Sequence, residues 1–147
     1  MISHIGEMRW REWGDGESSP ERWTQVTAGE NERDRLPVTL VAIDDTGRAA
    51  GAVALGNSDN ALTETERADR SPWLLGLVVG SEYRGLGIGR YLVAATEDLA
   101  MAHSYHYIWV ATGPHARDFY KHCGWTVEQE LTLAKGGWPT SVLSKSL

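Results

Sequence analysis

Cysteine is almost absent from this chain, since Cys123 is the single one among 147 residues. One cysteine excludes an internal disulfide framework and fits a reducing compartment. Long apolar runs are lacking as well, because no stretch approaches the roughly 20 residues needed to cross a bilayer. The first 13 residues alternate charged and aromatic side chains and contain no apolar core of signal-peptide length. These features predict a soluble, cytoplasmic protein with no membrane partner.

Basic side chains are too few for general nucleic-acid binding. Lys and Arg number 14 against 20 Asp and Glu, so the formal net charge is −6. An acidic surface favours a cationic partner, although mild acidity is also a common solubility feature. The five histidines, too, lack any metal-site spacing, and no metal is predicted: they are His4, His103, His106, His115 and His122.

Chain length predicts one domain, residues 1–147, which can bury about 68–70% of its unfolded surface without a disulfide or a metal. Ser18-Ser19-Pro20-Glu21 predicts a capped helix that runs to about Asn31, after a shorter helix within Ile5 to Trp13. Two strands, 38–43 and 49–55, form a hairpin around a turn at Asp44-Asp45-Thr46-Gly47. The polar stretch from Asn57 to Asp69 is predicted to be an exposed loop.

The second half of the chain has stronger periodicity. The segment from Trp73 to Val79 is too apolar to have a solvent-exposed face, which predicts a central strand. A helix follows, with Glu97 and Asp98 on its polar side and these residues facing inward: Ile88, Leu92, Ala95, Leu99 and Ala102. A strand at 105–111 and a helix from Pro114 to a left-handed cap at Gly124 come next. Two last strands, 128–133 and 140–147, complete an α/β fold with a mixed central sheet and flanking helices.

A glycine-rich turn joins the central strand to the helix and reads Arg84-Gly85-Leu86-Gly87-Ile88-Gly89. The order strand, glycine turn, helix aims several backbone N–H groups and the positive end of a helix at one point, which suits a phosphate or pyrophosphate. Side chains at the glycine positions would hold the anion away from those N–H groups. A tight turn that serves close packing is the alternative interpretation.

Other phosphate-binding classes fit this turn less well. A dinucleotide site needs an acidic residue at the end of the next strand, about 20 residues on. Here that strand, Ile108-Trp109-Val110-Ala111, ends in Thr112-Gly113 without a carboxylate. The Gly-Lys-Ser/Thr signature of NTPase phosphate loops is also absent.

The turn resembles the pyrophosphate signature of the GNAT superfamily of N-acetyltransferases, Gln/Arg-x-x-Gly-x-Gly/Ala, with Gly87 and Gly89 at the small-residue positions. This resemblance implies acetyl-CoA as co-substrate, with its pantetheine arm along the strand before the turn. That strand is expected to splay from its neighbour at the thioester. Gly76 and Gly80 would ease the departure, and the alternative is that they are ordinary strand glycines. The cofactor-binding residues it implies are Leu77, Val78, Val79, Arg84, Gly85, Leu86, Gly87, Ile88, Gly89 and Arg90.

The resemblance also implies a catalytic role for Tyr120, which precedes Gly124 by four residues in Phe119-Tyr120-Lys121-His122-Cys123-Gly124-Trp125. A tyrosine at this spacing often protonates the departing CoA thiolate in the superfamily, since a phenol is neutral at pH 7. The alternative is a tyrosine that packs on Phe119 and only contacts CoA.

The chain departs from the family pattern in three respects. Gly113 replaces a cofactor-binding asparagine, so Thr112 or His115 would have to supply that contact. Only 36 residues precede Pro37, so the first strand of the family fold is expected to be missing or reduced. The central strand has no acidic residue that could serve as general base. A histidine, a chain of waters or a loop carboxylate could take the proton of the amine, and the loop candidates are Glu64, Glu66 and Asp69.

Three functions follow, in decreasing order of support. The first is an N-acetyltransferase acting on a primary amine, a cationic small molecule or a peptide amine, by direct attack in a ternary complex. The second is a non-enzymatic acyl-CoA-binding sensor, which thiol release on a panel of amines would distinguish. The third is a nucleotide-dependent oxidoreductase, which titration with acetyl-CoA and NAD would distinguish. The acceptor's identity and a homodimer are left open.

Overall fold

The predicted apolar runs form six strands in a computed structural model that describes residues 2–13, 19–20 and 36–147. The strands are β1 (Val38–Ile43), β2 (Ala49–Gly56), β3 (Trp73–Val79), β4 (Tyr107–Thr112), β5 (Thr126–Thr132) and β6 (Pro139–Ser146). The helices are α1 (Ile2–Trp13), α2 (Glu64–Arg67), α3 (Ile88–Ala102) and α4 (Pro114–His122), with a 3-10 turn at Ser81–Tyr83. Apart from Ser19 and Pro20, the helix predicted from Ser18 to Asn31 lies outside the described residues.

The strands form one mixed sheet in the order β1-β2-β3-β4-β6-β5. Parallel pairing occurs between β3 and β4, and α3 supplies the crossover that such a pair needs. The pairs β1–β2, β4–β6 and β5–β6 are antiparallel. A mixed α/β fold with a central β3 is therefore confirmed. No helix in the described part of the chain is both long and apolar enough to cross a membrane.

The chain divides into two compact units, of which the first comprises residues 1–55 and 76–96. Its hairpin pairs Val38 with Leu55, and β2 is buried along its whole length. The amphipathic helix α1 packs Ile5 and Met8 into a cluster with Ala49, Ala52 and Val78. Burial of these apolar side chains is the main term that stabilises this unit.

The second unit comprises residues 56–75 and 97–147. Its core is built on Leu62, Trp73 and Val142, with Trp109 packed against them. The Arg70 guanidinium lies 4.8 Å from the centroid of the Trp109 ring, a cation–π contact. These two compact units do not test whether the chain folds as one domain. A single domain over residues 1–147 therefore stays a prediction.

The prediction of an exposed loop from Asn57 to Asp69 is wrong for the middle of this segment, from Leu62 to Arg67. Leu62 is buried at 1% exposure, and the single-turn helix α2 follows it. Thr63 and Glu66 form a capping box, in which the Thr63 Oγ1 accepts from the Glu66 N–H and the Glu66 carboxylate accepts from the Thr63 N–H. The hydrogen bonds of Glu66, first of all that from the Thr63 N–H, lower the pKa of its carboxyl.

The inward face predicted for α3 is also only partly right. Leu92 is buried, but Ala102 is exposed, and the other fully buried residues of the helix are Val93, Thr96 and Ala100. Glu97, predicted on the polar side, is only 12% exposed and its carboxylate lies 2.5 Å from the Lys145 Nζ. The Lys145 Nζ also donates to the Cys123 carbonyl at 2.9 Å, so this partly buried charge is paired as burial requires.

Candidate active site

The glycine turn in the first unit has the backbone that an anion site requires. Gly85 and Gly87 have φ of 80° and 81°, in the left-handed region that favours glycine. The Gly87 carbonyl accepts from the Tyr91 N–H at 3.0 Å, which makes it the first acceptor of α3. The N–H groups of a helix's first turn have no partner inside that helix and point toward its N-terminal side. A Cβ added at Gly85 or Gly87 would meet no atom within 4 Å, so this side of the turn is open.

The remaining predicted cofactor residues of the turn lie around these glycines. Arg84, Leu86 and Arg90 are exposed, whereas Ile88 and Gly89 are half-buried. The Arg84 Nε donates to the Val79 carbonyl at 3.3 Å and so joins the turn to the end of β3. The turn is thus presented to solvent on a backbone anchored by β3 and α3.

Strand β3 departs from regular geometry at Gly76, whose φ is +59°. Among the described residues, the ladder between β3 and β4 contains the single pair Trp73–Trp109. The three residues predicted to line the pantetheine arm follow the departure: Leu77, Val78 and Val79. Gly80 has an ordinary φ of −57°, and its N–H donates to the Ala50 carbonyl at 2.8 Å. Gly76 is therefore the glycine whose conformational freedom the strand uses.

A buried arginine that the sequence did not single out contacts this irregular point. Arg9, on α1, is 1% exposed, and its Nε donates to the Gly76 carbonyl at 3.2 Å. A Cβ at Gly76 would lie 3.0 Å from the Arg9 Nη2. The position thus combines a left-handed backbone with close approach of a charged side chain.

Gly76→Ala is expected to lower the free energy of unfolding by about 2–4 kcal/mol, from left-handed strain plus crowding against Arg9. Gly137→Ala is the matched control, because Gly137 has a φ of +67° and no atom within 4 Å of its Cβ position. The control should lose only about 1–2 kcal/mol. Denaturant titration of both variants tests this, and equal losses would show that Arg9 contributes no crowding.

A cavity of about 760 Å³ in the first unit borders the glycine turn. It is lined by the end of β1 and the residues after it, by Tyr83, and by the turn from Leu86 to Ile88. The Tyr83 hydroxyl donates to the Asp44 Oδ2 at 2.5 Å. This bond is the leading cause that lowers the pKa of Asp44, and the same bond raises the pKa of Tyr83. Asp44 is therefore a carboxylate at any physiological pH.

Tyr120, in the second unit, lies on α4 in an aromatic cluster with Phe119 of the same helix and Trp125, which follows the helix. Its ring centroid lies 5.1 Å from that of Phe119 and 5.5 Å from that of Trp125. Gly124 has a φ of +90°, and the Trp125 N–H donates to the Tyr120 carbonyl at 3.0 Å, which confirms the predicted left-handed cap. Tyr120 is 4% exposed; burial first, and then Cys123, raises the pKa of its phenol. The proton therefore stays on Tyr120 throughout the physiological range.

The positions where the chain departs from the family pattern are also visible. A Cβ at Gly113 would lie 3.0 Å from the His115 ring, so His115 occupies the space that a longer side chain there would take. Of the three carboxylates proposed as general base, Glu66 is used by the capping box, while Glu64 and Asp69 are exposed. Burial raises the pKa of Asp59, although the Ala61 N–H opposes the shift. Among the described residues, no group of three or more His, Cys, Asp or Glu side chains could hold a metal ion.

Comparison with known proteins gives a consistent fold. The model of the acetyltransferase (GNAT) family matches residues 2–125, whereas no curated protein sequence matches the chain. An aminoglycoside 6′-N-acetyltransferase complexed with coenzyme A superposes with a TM-score of 0.78 at 15% identity, covering 99% of this chain and 89% of that chain.

Two further structures share this architecture at low identity. The aminoglycoside 6′-N-acetyltransferase of Enterococcus faecium has a TM-score of 0.75 at 16% identity, with 99% and 89% of the two chains covered. A point mutant of the spermidine N-acetyltransferase of Vibrio cholerae has a TM-score of 0.70 at 16% identity, with 99% and 87% covered. Because the family model spans most of the sequence, we conclude that this chain belongs to the GNAT family of acetyltransferases, enzymes that use acetyl-CoA as co-substrate.

Proposed function

We propose that this protein is a cytoplasmic N-acetyltransferase that moves the acetyl group of acetyl-CoA to a primary amine by direct attack in a ternary complex. One observation carries the assignment: the glycine turn after β3 is open at Gly85 and Gly87 and leads into the N-terminus of α3. Such a turn offers backbone N–H donors and a positive helix end to a diphosphate. The turn from Arg84 to Arg90 holds the diphosphate, and Leu77 to Val79 hold the pantetheine arm.

Each chemical step is assigned to a group suited to it. The neutral amine attacks the thioester carbonyl to form a tetrahedral adduct, the nitrogen loses its extra proton to water, and the carbon–sulfur bond breaks. Tyr120 donates its proton to the departing sulfur, a role that a phenol kept neutral by burial can fill, and regains a proton from water before the next turnover. Thiol release on a panel comprising an aminoglycoside, a polyamine, an amino acid and a peptide amine tests the proposal. Binding of acetyl-CoA without thiol release from any amine would favour the acyl-CoA sensor instead.

We further propose that the acceptor is cationic. The chain has a net charge of −6, and Glu64 and Asp69 are exposed in the segment before β3. Asp59 and Glu66, counted in the same acidic segment, have local hydrogen-bonding roles and contribute less to an exposed surface. The similar structures include enzymes named for aminoglycosides and for spermidine, both of which are polycationic amines.

For a cationic acceptor, kcat/KM should fall roughly three- to tenfold between about 0.05 and 0.5 M salt, because salt screens long-range attraction. The double variant Glu64→Gln/Asp69→Asn should reduce both kcat/KM at low salt and the salt dependence. Asp98→Asn, an exposed carboxylate on α3, is the charge-matched control for one of these changes. Faster turnover of neutral or anionic acceptors, or a flat salt profile, would rule out a cationic acceptor.

A further inference from the structure

Asp44 uses its two carboxylate oxygens for two different tasks. The Oδ1 accepts from the Thr46 N–H at 2.8 Å, from the Thr46 hydroxyl at 2.7 Å and from the Arg48 N–H at 3.0 Å. These bonds close the β1–β2 turn, and the Asp44 N–H and the Arg48 carbonyl pair at 2.8 Å across it. The Oδ2 is left for the Tyr83 hydroxyl. Asp44 is thus a fixed acceptor, whose position is set by the hairpin.

Through its hydrogen bond to Asp44, Tyr83 links the hairpin to the start of the glycine turn. It is the last residue of the 3-10 turn and is followed directly by Arg84. Its own N–H donates to the Gly80 carbonyl at 2.9 Å, and the Gly80 N–H donates to Ala50 on β2 at 2.8 Å. The segment between β3 and the glycine turn is therefore tied to the hairpin twice, once by backbone and once by the Tyr83 phenol.

Two residues of the glycine turn have no side chain that could restrict the backbone. Gly85 and Gly87 carry no side chains, and no atoms lie within 4 Å of where their Cβ atoms would be. Glycine also has the largest conformational freedom to lose when a ligand orders it. A short, charge-assisted hydrogen bond of 2.5 Å at the adjoining residue restricts that freedom before the ligand arrives.

We propose that Tyr83 and Asp44 together form a positioning pair that pre-organises the glycine turn for the diphosphate of acetyl-CoA. This inference rests on the proposed function, since it assumes that the turn binds that diphosphate. Neither residue touches the reacting thioester in this scheme. The pair should therefore govern affinity for the cofactor and leave the chemical step almost unchanged.

Tyr83→Phe tests the pair, because it removes one hydroxyl and keeps the ring that borders the cavity. Acetyl-CoA Kd by calorimetry and KM by thiol release should both rise by up to about tenfold, because the cofactor must then order a turn that the hydrogen bond held in place. The value of kcat should stay within about twofold of the parent value. Tyr105→Phe is the matched control, since the Tyr105 hydroxyl makes only a 3.4 Å bond to Asn57.

Asp44→Asn and the double variant complete a cycle. If the two residues act through one bond, the double variant should bind acetyl-CoA no more weakly than the worse single variant. The positioning pair would be overturned if the affinity losses of the two single variants multiplied in the double variant. An unchanged acetyl-CoA Kd in a folded Tyr83→Phe protein would overturn it as well. A fall in kcat with unchanged KM would overturn the positioning role. Failure of the parent protein to bind acetyl-CoA would instead reject the proposed function, so the two failures are distinguishable.

Discussion

Tyr120→Phe is expected to lower kcat by roughly 10²–10⁴-fold, the usual range for a positioned proton donor, with little change in acetyl-CoA affinity. The variant keeps the ring that packs against Phe119 and Trp125 and loses only the hydroxyl. Proton donation from a phenol with a raised pKa is reasonable here, because a thiolate that departs inside the protein is also desolvated and is a stronger base than in water.

Two measurements separate catalysis from packing at this position. If Tyr120 is only structural, Tyr120→Phe should lower the melting temperature and leave turnover nearly normal in the folded fraction. If Tyr120 is a proton donor, the variant should keep the parental melting temperature and lose turnover. Tyr107→Phe, which alters an exposed tyrosine of the same unit, controls for the loss of a hydroxyl as such. Parental kcat in the Tyr120→Phe protein would remove Tyr120 from the mechanism and leave the cofactor site untouched.

The raised pKa of Tyr120 adds a pH test. An acid must be protonated to act, so its activity is lost as pH rises through its pKa. Burial moves that pKa above the ordinary tyrosine value of 10.0. The rate at saturating substrates should therefore show no loss assignable to Tyr120 below about pH 10.

Gly87→Val is expected to weaken acetyl-CoA binding by about 100-fold or more, because a branched side chain would stand between the diphosphate and the backbone N–H groups that hold it. Gly87 has a φ of 81°, so valine also strains the backbone. A loss of affinity alone would not separate blocked access of the diphosphate from backbone strain. A control that introduces the same backbone strain at a glycine outside the turn is therefore required.

Gly137→Val provides that control. Gly137 has a φ of +67°, and its Cβ position, like that of Gly87, has no atom within 4 Å. Both variants should lose a similar amount of stability, and only Gly87→Val should lose cofactor affinity. Calorimetry on samples with parental circular dichroism measures the difference. Equal Kd values for the two variants would place the cofactor away from this turn.

Features encoded within a few residues could be predicted from the sequence. The glycine turn, the start of α3 and the left-handed cap at Gly124 each depend on neighbouring residues, and local steric rules fix them. Helix α2 was missed because four residues are too few to show periodicity. Its capping box, Thr63 and Glu66, was the available signal.

Contacts between distant residues could not be predicted in this way. Arg9 and Gly76 are 67 positions apart, and Asp44 and Tyr83 are 39 apart. Nothing in the local sequence of α1 indicates that one of its arginines is buried against a strand. The pairing of Glu97 with Lys145 is similar, because the helical pattern alone assigned Glu97 to the solvent side. Such partners are fixed by tertiary packing, which a single sequence does not display.

The most direct test of the proposed activity is to incubate the protein with acetyl-CoA and each amine of the panel, and to measure free CoA thiol and acetylated amine together. An N-acetyltransferase with a cationic acceptor predicts equimolar thiol and N-acetylated product, with the highest kcat/KM for a polycationic amine. Tyr120→Phe should suppress both products while acetyl-CoA still binds. Tight acetyl-CoA binding without acetylated product from any amine would contradict the enzymatic assignment.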